Sequence, residues 1–560
     1  MQVFIRSVPY QFNFIKLAVF PALLAYLLFS FFSLFQAINI PEGIFGSLRV
    51  SLFVILIVLS TLIFIHYEKA IDYLCKSVIL SSAILSLIGA CQYYNLAFTS
   101  IPGNVVPYAT MANKNFFASA LFLTLPLIIY GVSKSSLAWK WLGILTIVLT
   151  IFNIILTQTR TVWIALSLSI LVIVFILIAF NAQLNIFKLN FQKTFFRRIL
   201  FLGIIISGVV IFFLSINGSF HSASMKERIT LWSKTNSMIY DHPFSGVGIG
   251  NWKIVMPKYG LSDLVIDAQL GKMYYQTPEN DFYSVISETG IGGLISYLLI
   301  FLFVIYYLLK ILFHSQSTSN TKIFTLSMLF GITGYMIIAF FSSPMQQIFH
   351  MVLLAFIISA VVTVYYKSFS VKEINADYLL PLFLMVSFPL LIFSIVIGLL
   401  HFNAERHTRK AWLSKSQNDF VDVIDKADKA YTPLTTLDPT ATPLHFYRGI
   451  ANFSLDKIEE ARIDFETAYK YHPNHIHVLN NLATCYETSG YHDKAIEYYQ
   501  RCIQISPKFT DALINLCLVY YNMQDYKKAH EIMISCHPLG AAQVKKLAAI
   551  KAMLYKKLGY

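Results

Sequence analysis

The chain has 560 residues, of which 56% are hydrophobic and only 13% are charged. A soluble domain carries about 25% charged residues, so this composition excludes a purely soluble protein, and its high apolar content also excludes a disordered one. The net charge of +14 is compatible with nucleic-acid binding, with a membrane surface or with membrane topology.

The positions of the charges divide the chain into two parts. Residues 404–560 contain 20 Lys/Arg and 17 Asp/Glu, whereas residues 1–403 contain the remaining 23 and 12. We therefore predict an all-α protein, with a polytopic membrane domain at 1–403 and an α-solenoid at 404–560. The charges of the second part nearly balance and form no basic patch interleaved with aromatics, so nucleic acid is not an expected partner.

The first part contains segments that are long and apolar enough to cross a membrane, for which about 20 residues are needed. We predict eleven spans, at 14–36, 43–66, 73–96, 115–133, 138–157, 161–180, 199–216, 284–312, 321–342, 346–366 and 378–401. The first span is too long for a cleaved signal peptide and lacks a small-residue cleavage site.

Lys and Arg are concentrated in the N-terminal segment and in every second loop after it, whereas the loops between them contain few. Because cytoplasmic loops carry the excess of Lys and Arg, this pattern predicts a cytoplasmic N-terminus. An odd number of spans then places the long loop 217–283 and the repeat domain on the outer side. Three cations near span ends are exceptions to this pattern, because they fall on the predicted outer side: Arg49, Lys114 and Arg160.

Four polar clusters stand out, and the predicted topology places all of them on the outer side. They are Asn113-Lys114-Asn115, Thr157–Thr161, the loop segment from Arg228 and Trp232 to Trp252, and Thr277–Phe282 with Ser287–Gly290. Arginine offers a planar fork of donors that matches phosphate, and a nearby carboxylate is able to take a proton from a hydroxyl. We therefore predict a site that displaces a polyprenyl-pyrophosphate leaving group with an alcohol.

The second part repeats with a period of 34 residues. Pro439, Pro473 and Pro507 keep this spacing, as do two other sets, Ala427, Ala461, Ala495, Ala529 and Tyr431, Phe465, Tyr499, Met533. A helix–turn–helix unit of 34 residues is the tetratricopeptide signature. We predict repeats near 442–475, 476–509 and 510–540, a degenerate repeat at 404–438 and a capping helix at 541–558. Such a stack binds a protein partner or only packs.

Over residues 100–400 the chain resembles the O-antigen ligase family, glycosyltransferases that act on undecaprenyl-pyrophosphate-linked glycans. Four motifs carry the resemblance in order: Asn113-Lys114-Asn115, Thr159-Arg160, Arg228-x-x-x-Trp232 with Pro243-x-x-Gly-x-Gly-x-Gly-Asn251, and Glu279-Asn280 with Glu288-x-Gly290. Some members of the family also carry a tetratricopeptide tail.

The resemblance implies that Arg160 and Arg228 bind the pyrophosphate and that the residue before Asn280 is the base. The family has His at that position, whereas this chain has Glu279, which is able to act as a base if burial raises its pKa. His242 is a less favourable substitute in the same loop. We predict Arg160, Arg228 and Glu279 as catalytic, Asn113, Lys114, Asn115, Trp232 and Asn280 as substrate-binding, and no metal or cofactor.

These inferences predict transfer of a glycan from its carrier to a lipid, protein or glycan acceptor at the outer face of the bacterial inner membrane, among membrane lipids. A polysaccharide polymerase of the same family is the first alternative. A transporter of lipid-linked glycans should carry more polar residues deep in its spans. A membrane-anchored tetratricopeptide scaffold would need far fewer than eleven spans.

Overall fold

The computed structural model describes residues 12–99, 107–180, 223–369 and 379–558. Within these ranges, ten helices are long and apolar enough to cross a membrane. They match ten of the eleven predicted spans, and the predicted span at 199–216 lies outside the described residues.

The membrane-spanning segments in the described residues are all helices, which confirms the predicted helical class. They are α1 (Val19–Phe32), α2 (Ile40–His66), α3 (Ala70–Tyr93), α4 (Lys114–Lys134), α5 (Leu137–Thr157), α6 (Arg160–Ala179), α10 (Asp281–Leu312), α11 (Ser319–Phe341), α12 (Ile348–Ser368) and α13 (Leu379–Ser416). Between α6 and α10 the described part of the long loop contains α7 (Ala223–Asp241), α8 (Trp252–Val255) and α9 (Ile266–Gln269).

Several of these helices begin at a side chain that accepts a hydrogen bond from the first turn. Asn39 caps α2 and Asn113 caps α4, each through its own side-chain oxygen. Asn280 and Thr318 cap α10 and α11 in the same way. Such residues satisfy backbone N–H groups that the helix itself leaves without a partner.

The helices of the membrane domain pack around α4, which contacts α3, α5, α11 and α12. α1 packs against α10, and α2 packs against α12. Buried aromatic side chains fill the centre of the domain, among them Phe117, Phe122, Phe301 and Tyr335.

The second part is a stack of paired helices, as the 34-residue period predicts. The pairs are the end of α13 with α14 (Phe420–Ala430), α15 (Leu444–Ser454) with α16 (Ile458–Tyr471), α17 (Ile476–Thr488) with α18 (His492–Ile505), and α19 (Thr510–Asn522) with α20 (Tyr526–Ile534), followed by α21 (Ala541–Leu558). The predicted boundary at 403/404 falls inside α13, so one helix continues from the membrane domain into the stack.

The repeated small and aromatic residues form the core of the stack. Ala461, Ala495 and Ala529 are fully buried, and Phe465 and Tyr499 fill the space beside them. In the first complete repeat Gly449 takes the small position, because a Cβ there would lie 2.8 Å from the ring of Phe465.

Candidate functional site

A large cavity lies where the ends of the membrane helices meet the long loop. Its volume is about 1730 Å³, larger than the ~300–1,000 Å³ of a typical site for one small molecule. Its lining includes six of the eight residues predicted from the sequence, namely Asn113, Lys114, Asn115, Arg160, Arg228 and Glu279. The structure therefore brings all four polar clusters to one end of the helix bundle.

The first two clusters are joined directly. Asn113 accepts a hydrogen bond from the Asn115 backbone at 2.7 Å, and the Thr159 hydroxyl donates to the Asn115 side chain at 3.3 Å. Gln158 ends α5 in the left-handed conformation, with φ of 51°, so the chain turns sharply and α6 begins at Arg160. The side chain of Arg160 is exposed along the cavity wall.

Glu279 and Arg228 approach each other from opposite ends of the long loop. Burial raises the pKa of the Glu279 carboxyl, the positive charge of Arg228 lowers it, and the negative charge of Glu227 raises it again. Glu279 has a left-handed backbone with φ of 55°, which is uncommon for a residue with a side chain. The Nε atom of Arg228 is buried and has no hydrogen-bond partner in the described residues.

The other two predicted residues, Trp232 and Asn280, hold the backbone beside Glu279 in place. The Trp232 indole donates to the Pro278 carbonyl at 2.9 Å and stacks on the ring of Tyr283 at 5.7 Å. The Asn280 side chain accepts from Tyr283 N and donates to the Phe340 carbonyl at 2.8 Å. Asn280 is fully buried, so in this structure its contacts are with the protein.

α10 is broken at Gly290, whose φ of 73° and ψ of −176° are not helical. The segment 281–289 folds back on the rest of the helix, so that the Tyr297 hydroxyl lies 3.4 Å from Oδ2 of Asp281. The same oxygen accepts hydrogen bonds from the Tyr335 hydroxyl and the Met345 backbone, both at 3.2 Å. Asp281 thus fixes the start of α10 and the position of Glu279 before it.

The glycine-rich run 246–250 packs against this break. Val247 N donates to Ser287 O at 2.9 Å, and Gly248 N donates to Glu288 O at 3.0 Å. A side chain at Gly246 would collide with the backbone of Glu288, and one at Gly290 would collide with the backbone of Phe244. The two glycine motifs therefore let two backbones approach each other closely.

The structure adds charged residues that the sequence reasoning did not assign to the site. Arg49, in the third turn of α2, hydrogen-bonds the Gln346 side chain and lines the cavity. Lys253 forms an ion pair of 2.8 Å with Glu42, and both line the cavity as well. The signal for Arg49 was present, because it is a cation inside an apolar span on the predicted outer side.

The repeat stack docks on the membrane domain and on the long loop through its proline-containing turns. In successive turns, Thr436 hydrogen-bonds Asn39, the Asn474 side chain donates to the Ile254 carbonyl at 2.9 Å, and the Ser506 hydroxyl donates to the Gln269 carbonyl at 2.6 Å. One hydrophobic core includes loop residues such as Trp252 and Leu261 together with residues of the repeats. The repeats therefore complete the core of the loop that carries Arg228 and Glu279.

The fold and the cavity define a multi-pass helical membrane protein with a helical repeat stack. Residues 145–298 match the family model of the O-antigen ligase, and residues 476–509 match a tetratricopeptide repeat. The matches confirm the predicted resemblance, and the ligase domain supports a family of polyprenyl-linked glycan ligases and polymerases.

Among curated proteins, the chain is 26% identical to Hsp70-Hsp90 organizing protein 3 of Arabidopsis thaliana, over 22% of this chain and 23% of that protein. It is 25% identical to the peroxisomal targeting signal receptor of Saccharomyces cerevisiae, over 25% of this chain and 20% of that protein. The chain thus spans about a fifth of the length of these relatives. Among solved structures, MamA is 24% identical with a TM-score of 0.22, over 28% of this chain and 82% of that chain.

Proposed function

We propose that the protein transfers a glycan from a polyprenyl-pyrophosphate carrier to an acceptor hydroxyl. The observation that carries this proposal is that Arg160, Arg228 and Glu279 line one cavity beside apolar helices, in a chain with an O-antigen ligase domain. The apolar helices accommodate the polyprenyl chain, and the cavity takes the pyrophosphate and the sugars.

In the proposed reaction the two arginines bind the pyrophosphate through charge-assisted hydrogen bonds. Glu279 accepts the proton of the acceptor hydroxyl, whose oxygen attacks the anomeric carbon of the glycan. The bond between that carbon and the phosphate oxygen breaks, and polyprenyl pyrophosphate leaves with the bonding electrons. Arg160 and Arg228 stabilise the negative charge that develops on the leaving group.

The environment of Glu279 supports its role as the base. A catalytic base works best when its pKa lies near the operating pH, and burial shifts the Glu279 pKa upward from its ordinary value. Arg228 beside it carries the opposite charge. The pyrophosphate of the donor on Arg228 and the acceptor hydroxyl on Glu279 would therefore lie next to each other.

We place the cavity at the outer face of a bacterial inner membrane, with the N-terminus in the cytoplasm and the repeats on the cavity side. The distribution of Lys and Arg among the loops supports this orientation. The repeat family suggests protein interaction, and within this chain the repeats interact with the long loop.

Transfer from lipid-linked glycan in membranes that contain the native acceptor tests the proposal. We expect Arg160→Ala and Glu279→Gln to reduce transfer by about a hundredfold or more, the range found when a charge-stabilising donor or an acid–base group is removed. Arg462→Gln, in α16 of the repeats and outside the cavity lining, is the control and should transfer like the wild type. Wild-type transfer by both site variants would overturn the assignment.

A further inference from the structure

The cavity is lined by two groups of polar residues, most of them charged. The first, the Arg228 cluster, consists of Glu227, Arg228 and Glu279, and Lys114 and Arg160 lie on the wall of the same cavity. The second, the Arg49 cluster, consists of Glu42, Arg49, Lys253, Glu288 and Gln346, and all ten residues line the cavity. The charges that act on Glu279 are those of Arg228 and Glu227, whereas those that act on Arg49 include Glu288, Glu42 and Asp281.

The two clusters differ in charge balance. The Arg228 cluster together with Lys114 and Arg160 contributes three cations and two carboxylates, as expected of a site for phosphate. In the Arg49 cluster, Lys253 is already paired with Glu42 at 2.8 Å, and Glu288 and the nearby Asp281 offset the charge of Arg49. A phosphate would meet as much negative as positive charge there.

The Arg49 cluster nevertheless has unused hydrogen-bonding capacity. Arg49 Nε and the hydroxyl of Ser343, which also lines the cavity, are buried and have no hydrogen-bond partner in the described residues. Buried polar groups without partners are rare in proteins and call for a ligand or water. Arg49 lies about 13 Å along α2 from Ile40, where a cation inside an apolar span is costly unless it has a role.

We propose that the Arg49 cluster is a sugar-binding subsite, distinct from the pyrophosphate site. Charged groups of both signs and an amide, fixed at short range, are suited to the donor and acceptor hydroxyls of an uncharged sugar. The cavity volume of about 1730 Å³ leaves room for a sugar beside the pyrophosphate. This inference rests on the proposed function, because it assumes a glycan substrate, and the sugar belongs either to the donor or to the acceptor.

The test compares two ligands that differ only in the glycan. Binding to the purified full chain is measured for polyprenyl pyrophosphate without glycan and for the same carrier with its oligosaccharide. Transfer from the glycan-bearing carrier is measured for the chain in membranes that contain the native acceptor. For Arg49→Gln we expect binding of the glycan-free carrier within about twofold of wild type. Transfer should fall by about tenfold to a hundredfold, the loss expected when a charged hydrogen bond is removed.

The matched variants guard against a merely structural effect. Arg49→Lys keeps the cation but loses the planar fork, and the exchange Glu42→Lys with Lys253→Glu keeps the ion pair while reversing its direction. Both should insert and bind the glycan-free carrier, and both should show reduced transfer. Arg462→Gln should change neither quantity.

The donor concentration dependence identifies the sugar. A raised KM for the lipid-linked glycan assigns the subsite to the donor glycan, and an unchanged donor KM with a lower kcat assigns it to the acceptor; both outcomes support the proposal. Two results would overturn the proposed sugar subsite. Equal loss of glycan-free carrier binding and of transfer would assign Arg49 to the pyrophosphate. Wild-type transfer by all three variants would show that the Arg49 cluster binds no sugar. If Arg160→Ala and Glu279→Gln transfer normally, the proposed function fails, whereas selective loss of glycan-bearing carrier binding by Arg49→Gln would still reveal the subsite.

Discussion

Asp281 and Tyr297 are sixteen residues apart in α10, yet the Tyr297 hydroxyl lies 3.4 Å from the Asp281 carboxylate. In a straight helix sixteen residues rise about 24 Å, so this contact exists only because the helix is broken at Gly290. The contact places the first turns of α10, and Glu279 immediately before them, beside α11 and the turn that follows it.

Asp281→Asn should destabilise the protein. The asparagine oxygen accepts fewer hydrogen bonds than a carboxylate, and its amide group would face the donors Tyr297 and Tyr335. We expect a loss of about 1–3 kcal/mol in the free energy of unfolding, measured as a lower thermal midpoint in detergent. Asp263→Asn, on an exposed side chain 3.8 Å from Lys234, is the control and should change little; equal midpoints for both variants would argue against the role of Asp281.

Gly290→Ala should be more disruptive than Gly398→Ala in α13. Its φ of 73° disfavours a side chain, and the added Cβ would meet the backbone of Phe244. We expect a loss of at least about 1 kcal/mol in stability together with a loss of transfer, since Glu279 lies on the same folded-back segment. Gly398→Ala, whose Cβ would meet nothing within 4 Å, should be neutral, and similar behaviour of the two variants would count against this account.

The rate of transfer should rise with pH along an acidic limb set by Glu279. Burial raises the pKa of this carboxyl, and Glu227 contributes in the same direction. A base is active when it is deprotonated, so the midpoint of the limb should lie above the ordinary glutamate pKa of about 4.3. Glu227→Gln removes a negative charge and should move this midpoint to lower pH in a pH–rate profile. If the midpoint does not move, Glu279 is not the group whose titration sets the limb.

The hydrogen bonds between the repeats and the long loop should support transfer. Ser506→Ala removes the donor to Gln269, and Asn474→Ala removes the donor to Ile254. We expect faster proteolysis of the loop at 252–276 and a several-fold fall in kcat in the double variant, because each lost bond costs about 1 kcal/mol. Ser506→Thr alone keeps the hydroxyl and should leave both quantities near the wild-type values, and Ser535→Ala on the exposed surface should have no effect. Normal proteolysis and kcat in the double variant would refute the coupling.

Acid should also loosen the contact between the loop and the repeats, where the ring of Tyr274 in the loop stacks on His475 at 4.5 Å. Burial lowers the pKa of His472 to about 3, helped by the charge of Lys253, and it lowers the pKa of His475 as well. Both histidines therefore bind protons more readily when unfolded, so their contribution is present above pH 6.5 and is lost as the pH falls toward the folded value. The slope is at most about 1.4 kcal/mol per pH unit for each histidine. His475→Phe should give a flatter dependence of the thermal midpoint between pH 7 and pH 5, and an unaltered slope would contradict this.

The helical architecture and the lining of the cavity follow from local patterns, and those were readable in the sequence. Apolar length predicts the spans, the 34-residue period predicts the repeats, and the alternation of loop charges predicts that Arg160 and Arg228 share one side. The break in α10 was not predicted, because Gly290 lies inside the predicted span 284–312, which contains no proline. Its cause is the packing of the glycine run 246–250, which comes about forty residues earlier.

The roles of individual side chains were harder to predict than their location. Trp232 and Asn280 were predicted to bind substrate, and in the structure both contact protein groups around Glu279. The sequence marked Arg49 as an outer-side cation, but its contact with Gln346 and the pairing of Lys253 with Glu42 join elements that are far apart in sequence. No spacing within the chain encodes such contacts, since they depend on how the helices pack.

The turns of the repeats contact the membrane domain and its loop at intervals set by the 34-residue period. Thr436, Asn474 and Ser506 each belong to a different turn, and each has its own partner on the other side. The three contacts therefore fix the number of repeats between them. An additional repeat inserted between residues 475 and 476 would carry Ser506 one repeat away from Gln269. A repeat added after α20 would leave all three contacts in place, so this chain would tolerate an additional repeat only beyond the third contact.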